Sequence, residues 1–173
     1  PAGRALQQAL GPAVYATGGQ TLEAAVGARL MRRRKTLAVA ESCTGGLVSH
    51  LLTEVPGSSR YLRGSLVAYH NDLKRQPLGV PDAMIARYGA VSPQTAAAMA
   101  EGVRRFADAD IGLSITGIAG PTGGSVRKPV GLVYCGLADG RRRHALRCRF
   151  IGDRSSVKLQ AAQTALDWLR RSL

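Results

Sequence analysis

The chain has 173 residues, 45% of them hydrophobic and 20% charged, with a formal net charge of +13. That is enough to bury one substantial core and too little for two ordinary domains. No apolar stretch approaches the roughly 20 residues of a membrane helix, and nothing in the given sequence reads as a secretion signal, so a soluble, cytoplasmic protein is expected.

Residues 1–20 mix Gly, Pro, Gln and Ala without periodicity and read as a linker or the tail of a preceding segment. From Thr21, a capping residue, Leu22, Ala25, Val26 and Leu30 recur at helical spacing, and the helix runs into the basic cluster 32–35, with Glu23 and Glu41 flanking that basic end. A short apolar strand over 36–40 follows, then the loop Glu41-Ser42-Cys43-Thr44-Gly45-Gly46. A helix is expected over 45–55, with Leu47, Val48, Leu51, Leu52 and Val55 on one face. Pro56-Gly57-Ser58-Ser59 stops it. A second strand is expected over 63–70, a short turn or helix from Asn71, and another short helix over 81–88 closed by Gly89. Ser92 as cap and Pro93 at the first helical position open a long helix reaching Phe106. A third strand over 111–116 leads into a second glycine-rich loop, 116–124. Strands over 130–138 and 142–151 flank Asp139-Gly140-Arg141, a hairpin signal, and Asp153 caps a last helix to about residue 170.

Helices that punctuate strands imply parallel crossovers, whereas the late hairpin must be antiparallel. The expected fold is therefore α/β: a three-layer α/β/α sandwich around a mixed sheet of about five strands. Ligand sites in such sheets lie where strand ends converge, and both glycine-bearing loops fall there.

Three cysteines, Cys43, Cys135 and Cys148, have no Cys-x-x-Cys spacing and no histidines grouped with them, so reduced thiols are expected rather than a zinc site or disulfides. The basic clusters at 32–35, 141–143 and 170–171 each sit at the edge of an element. Aromatics make up only 5%, too few for a stacking platform, so nucleic acid is a poor fit.

Ser42 at a strand-to-helix junction has two readings. It caps the helix, as Ser and Thr commonly do, or it presents a hydroxyl beside free amides able to hold an oxyanion, a role that Gly45 and Gly46 would favour by allowing close approach. No Gly-x-Ser-x-Gly elbow supplies a histidine partner, and His70 with Asp72 forms no recognised acid-base pattern. Lys74, one of four lysines against 20 arginines, is the other candidate base, because a lysine among apolar walls loses its proton more readily. The 116–124 loop could cradle a phosphate or simply connect two strands. It is neither a Walker A loop nor Gly-x-Gly-x-x-Gly.

Five separated motifs together narrow this choice: Ala-Glu-Ser-Cys-Thr-Gly-Gly at 40–46; Val67-Ala68-Tyr69-His70-Asn71 with Lys74; Gly89-Ala90-Val91-Ser92; Ser114 to Pro121 with Gly123-Gly124; and Lys128-Pro129-Val130-Gly131. From residue 21 to 172 the chain resembles the C-terminal domain of the CinA family, nicotinamide-nucleotide amidases also called nicotinamide mononucleotide deamidases. Residues 1–20 would then be the connection from an N-terminal CinA domain, and 21–173 the amidase domain. The resemblance implies hydrolysis of the carboxamide of nicotinamide mononucleotide to nicotinate mononucleotide and ammonia, a step of pyridine nucleotide salvage, with no metal and no cofactor. It implies Ser42 as nucleophile with Lys74 and Tyr69 as acid-base pair, and amides at Thr44 to Gly46 for the oxyanion. Substrate contacts are implied for Glu41, Cys43, Thr44, Gly45, Gly46, Asn71, Thr116, Gly117, Ile118, Ala119, Gly120, Gly123, Gly124 and Lys128. His70 stands where other members often carry serine. The small-molecule nucleotide would be the partner, within a homo-oligomer. Two other readings stand beside it: a nucleotide-binding regulatory module without turnover, and a competence- or recombination-associated adaptor.

Overall fold

The computed structural model describes residues 8–11, 14–16 and 18–173, so much of the expected linker over 1–20 lies outside the described residues. Thr21 opens α1 (Leu22–Arg33) by accepting from Ala24 N, and Arg34 closes it in the left-handed region at φ 51°. The five residues of β1 (Leu37–Glu41) are all buried. Next come α2 (Leu47–Thr53), β2 (Leu62–Val67), α3 (Asn71–Arg75), α4 (Asp82–Tyr88) and α5 (Pro93–Phe106). Strands β3 (Ile111–Gly117), β4 (Leu132–Ala138) and β5 (Arg143–Arg149) and the helix α6 (Arg154–Ser172) complete the chain.

The five strands form one sheet in the order β2-β1-β3-β4-β5. β1 runs parallel to both β2 and β3, and the β3-β4 and β4-β5 pairs are antiparallel. The chain thus leaves β1 for one side of the sheet and returns from β2 to the other. At the carboxyl ends of β1, β2 and β3 the connections diverge, which opens a crevice there.

Side chains alternate between two cores. Leu37, Val39, Leu113, Ile115, Val133 and Cys135 pack against Val26 and Leu30 of α1, Val48 and Leu52 of α2, and Leu166 and Leu169 of α6. On the other face Ala38 and Ala40 lie under Met99 and Val103 of α5, together with Leu78, Val80 and Ile85. Here the helix rests almost on the sheet: a Cβ on Gly136 would stand 2.2 Å from Ala96 O, and Ser114 Oγ donates to that carbonyl at 2.6 Å.

Two of the boundaries that differ from the sequence reading bear on the site. Helix α2 begins at Leu47 rather than residue 45, because Gly45 and Gly46 hold φ values of 62° and 98°, outside the helical region. Strand β2 ends at Val67 rather than residue 70, where the carbonyls of Ala68 and Tyr69 turn toward Lys74.

Candidate active site

A pocket of about 290 Å³ occupies the crevice, lined by Ser42 and Cys43 after β1, Tyr69, Asn71 and Lys74 after β2, Thr116 to Gly120 with Thr122 and Gly123 after β3, Ala90 and Val91 before α5, and Arg154 of α6. A larger cavity of about 510 Å³ lies at the far end, between Leu137, His144 and Leu146 and the C-terminal turns of α6 around Trp168. None of the residues expected in the site reaches it. The smaller pocket is the chemical one, because it alone joins a hydroxyl, an amine and a phenol.

The alternation of β1 explains how Ser42 is presented. Leu37, Val39 and Glu41 point to the α2 side, so the Glu41 carboxylate meets the start of that helix. Its Oε2 accepts from Gly46 N at 2.9 Å and Val48 N at 3.1 Å, and its Oε1 from Ser49 N at 2.8 Å and Ser49 Oγ at 2.5 Å. Glu41 is therefore a fully buried anchor of the loop rather than a substrate contact or a flank to the basic end of α1. Ser42 N donates to Ile115 O, and Gly45 N donates back to Ser42 O at 3.1 Å, which closes the 42–45 turn.

This network changes the expected oxyanion donors. The amides of Gly45 and Gly46 already have acceptors, which leaves those of Cys43 and Thr44, the two directly behind the serine, without a backbone acceptor among the described residues.

Lys74 is 2% exposed, on the short α3 that His70 caps through Nδ1. Its Nζ donates to Ala68 O at 2.7 Å and Tyr69 O at 3.2 Å. Burial lowers its pKa below the usual lysine value, opposed by the charge that a Cys43 thiolate would carry. Neutral, the amine has two N–H bonds and one lone pair. The two carbonyls account for both N–H bonds, so the lone pair remains for a proton. Cys43 cannot compete as nucleophile, since burial pushes its thiol up to about 12.

Tyr69 is exposed, and its Oη accepts from Arg154 Nη2 at 2.7 Å while Arg154 Nη1 donates to Gly120 O at 2.7 Å. Thr116 Oγ1 donates to Ala90 O at 2.9 Å and ties the end of β3 to the 89–92 loop. Arg154 lines the pocket without having been singled out in the sequence, whereas Ala90, Val91 and Thr122 line it from motifs that were noted but not as substrate contacts. Arg154 carried one faint signal, a cation in the first turn of a helix, where the dipole disfavours it.

Glu41, Thr44, Gly45, Gly46, Gly124 and Lys128, implied as substrate contacts, lie off the pocket lining. The Lys128 ammonium is committed to Tyr88 O, the last carbonyl of α4, at 2.6 Å. His70 Nδ1 also lies 3.0 Å from Asp72 Oδ2, and both residues are exposed and off the pocket. Among the described residues no group of three or more His, Cys, Asp or Glu could hold a metal ion, and no helix is long and apolar enough to cross a membrane.

The family model for the CinA C-terminal domain matches residues 19–173. The chain belongs to the CinA C-terminal domain family. A CinA-like protein of Geobacter sulfurreducens is 50% identical over 169 residues, 97% of this chain and 41% of the relative. A CinA-like protein of Salinibacter ruber is likewise 50% identical over 169 residues, 98% of this chain and 41% of the relative. The chain thus spans about two-fifths of the length of the curated relatives it matches. Among solved structures, the competence/damage inducible protein CihA from Agrobacterium tumefaciens superposes with a TM-score of 0.80 at 36% identity, covering 89% of this chain and 97% of that one. The CinA superfamily protein from Enterobacter cloacae gives 0.84 at 31% identity, covering 92% and 96%. Both the sandwich fold and the family of this chain are thereby established.

Proposed function

We propose that this CinA domain hydrolyses the carboxamide of nicotinamide mononucleotide to nicotinate mononucleotide and ammonia. The observation that carries the reading is the Lys74 amine: buried beside the pocket that Ser42 lines, depressed in pKa, and with both N–H bonds of its neutral form directed at carbonyls. Ser42 Oγ attacks the amide carbon as its proton passes to Lys74 Nζ. The resulting oxyanion faces the amides of Cys43 and Thr44. The Lys74 ammonium returns the proton to the departing nitrogen, and ammonia leaves. Tyr69 supports this step, because its oxygen accepts from Arg154 and its own O–H is left to donate. Water, deprotonated by the same amine, then cleaves the ester and releases the carboxylate.

The test is ammonia release from nicotinamide mononucleotide by the purified protein, with nicotinate mononucleotide identified as the second product. Ser42→Ala is expected to abolish turnover while the nucleotide still binds. Binding without release in the unaltered protein would leave a nucleotide-binding module in its place.

A further inference from the structure

The cavity at the far end of the sheet holds about 510 Å³, within the usual range of small-molecule sites and larger than the pocket that Ser42 lines. Its walls are mostly aliphatic. Ile111 opens β3, Leu137 lies near the end of β4, Leu146 is on β5, and Leu169 is in the last turns of α6, where Trp168 adds an indole. Leu146 and Trp168 pack on the core yet stay only partly buried, so apolar surface is left facing the cavity.

Cations edge it. Arg142 and His144 of the β4-β5 hairpin line the cavity, and an adjoining hollow that shares Ile111, Asp139 and Ser172 with it adds Arg33, Lys35 and Arg141. Two basic clusters of the sequence, 32–35 and 141–143, therefore converge on this end of the sheet, away from Ser42. The carboxylates there already have donors. Asp110 takes Lys35 Nζ at 2.8 Å and both Thr36 N and Thr36 Oγ1 at 2.9 Å. Asp139 Oδ1 accepts from Arg142 N at 2.8 Å and Arg141 N at 2.9 Å, bonds that hold its carboxyl below the usual range. The guanidiniums of Arg33, Arg141 and Arg142 form no hydrogen bond or ion pair among the described residues.

An aliphatic cavity with unpaired guanidiniums at its edge matches a ligand that has an apolar tail and an anionic head, and the fork of an arginine fits a carboxylate through two parallel bonds. We propose that this cavity is a second binding site, for a medium-chain aliphatic carboxylate: the tail lies between Leu137, Leu146, Leu169 and Trp168, and the head pairs with Arg142. The site goes beyond the amidase reading and does not depend on it, because it shares no lining residue with the Ser42 pocket.

Trp168 is the single tryptophan of the chain, so its emission reports on this cavity alone. Titration with decanoate should shift that emission saturably, with one equivalent bound by calorimetry. Decyltrimethylammonium, a similar tail with the opposite charge, should bind at least about tenfold more weakly. Arg142→Ala removes one charge-assisted contact and should weaken decanoate about tenfold, whereas Arg127→Ala, an equal loss of charge on the exposed loop near the other pocket, should leave it unchanged. Ser172→Phe, an exposed position that lines the cavity, should block decanoate while the circular dichroism spectrum stays that of wild type. An emission change that never saturates, equal binding of the two surfactants, or equal losses in Arg142→Ala and Arg127→Ala overturns the proposal. So does Trp168 emission that varies with protein concentration in the absence of ligand, which would put a second copy of the chain in the cavity.

Discussion

Arg154, at the first position of α6, reaches across the pocket mouth to the phenol of Tyr69 beyond the end of β2, with Nη2 to Oη at 2.7 Å. The contact spans 85 positions of sequence and links the two layers that flank the crevice. It fixes a side chain that is otherwise exposed, and the fixed phenol borders the same pocket as Ser42. Tyr69→Phe and Arg154→Ala should each lower kcat/KM. Because both remove one bond, the double variant should fall short of the product of the single effects by about tenfold. Neither side chain is buried, so thermal stability should move by less than about 1 kcal/mol. Fully multiplicative kinetic losses would show that the contact has no bearing on the site.

Lys74 makes a sharper prediction, because arginine keeps the charge and cannot release a proton at working pH. Lys74→Arg should reduce kcat by about 10²–10⁴-fold, the usual worth of a general base. In the unaltered protein kcat should rise with pH through a lysine value depressed below 10.5 by burial. The same shift governs stability. A lysine with a lower pKa when folded binds fewer protons folded than unfolded, so between the depressed value and 10.5 stability rises with pH. Lys74→Met lacks that contribution. Urea midpoints measured from pH 7 to 10 should therefore favour wild type over the variant progressively as pH increases, and parallel curves would contradict the depressed pKa.

Local chemistry made much of this fold legible. Ser92 with Pro93 marks the start of α5, and Asp139-Gly140 marks the β4-β5 hairpin, because a cap or a turn is decided by a few adjacent residues. The start of α2 was misjudged where two glycines adopt positive φ, a freedom that sequence permits without requiring. At the site, residue type was readable and direction was not. Glu41 and Lys128 carry charges suited to a ligand, yet one turns under its own loop and the other caps α4. Alternation along β1 held the clue for Glu41, since Leu37 and Val39 share its face. For Arg154, one arginine among 20, the faint signal was its unfavourable place in the first turn of α6, and its role depends on that turn returning beside Tyr69 after β2.

Close approach of α5 to the sheet supports the 89–92 loop, which forms one wall of the pocket. Gly136 is the test position. An added methyl would meet Ala96 O at 2.2 Å and Ser114 Oγ at 2.5 Å, and the carbonyl belongs to helix backbone that cannot yield without moving α5. Gly136→Ala should destabilise by about 1–3 kcal/mol, the usual cost of overpacking. Denaturant midpoints measure it directly. A neutral result would mean that the helix sits further from the sheet than described.

Glu41 carries the strongest structural demand near Ser42. Four donors, from Gly46 N, Val48 N, Ser49 N and Ser49 Oγ, converge on its carboxylate in a fully buried position. In Glu41→Gln an amide NH2 replaces one oxygen and faces donors instead of accepting from them. Hydrogen bonds to a buried charge are worth more than neutral ones, so the expected loss is about 3 kcal/mol. For a domain of this size that corresponds to a fall of roughly 6–12 °C in Tm. The loop that presents Ser42 hangs from these bonds, so kcat should fall as well, although Glu41 does not line the pocket. Circular dichroism melts together with amide turnover check both effects. A variant that melts like wild type yet loses activity would place Glu41 in the chemistry after all, and one that keeps both would show that the carboxylate does not hold the loop.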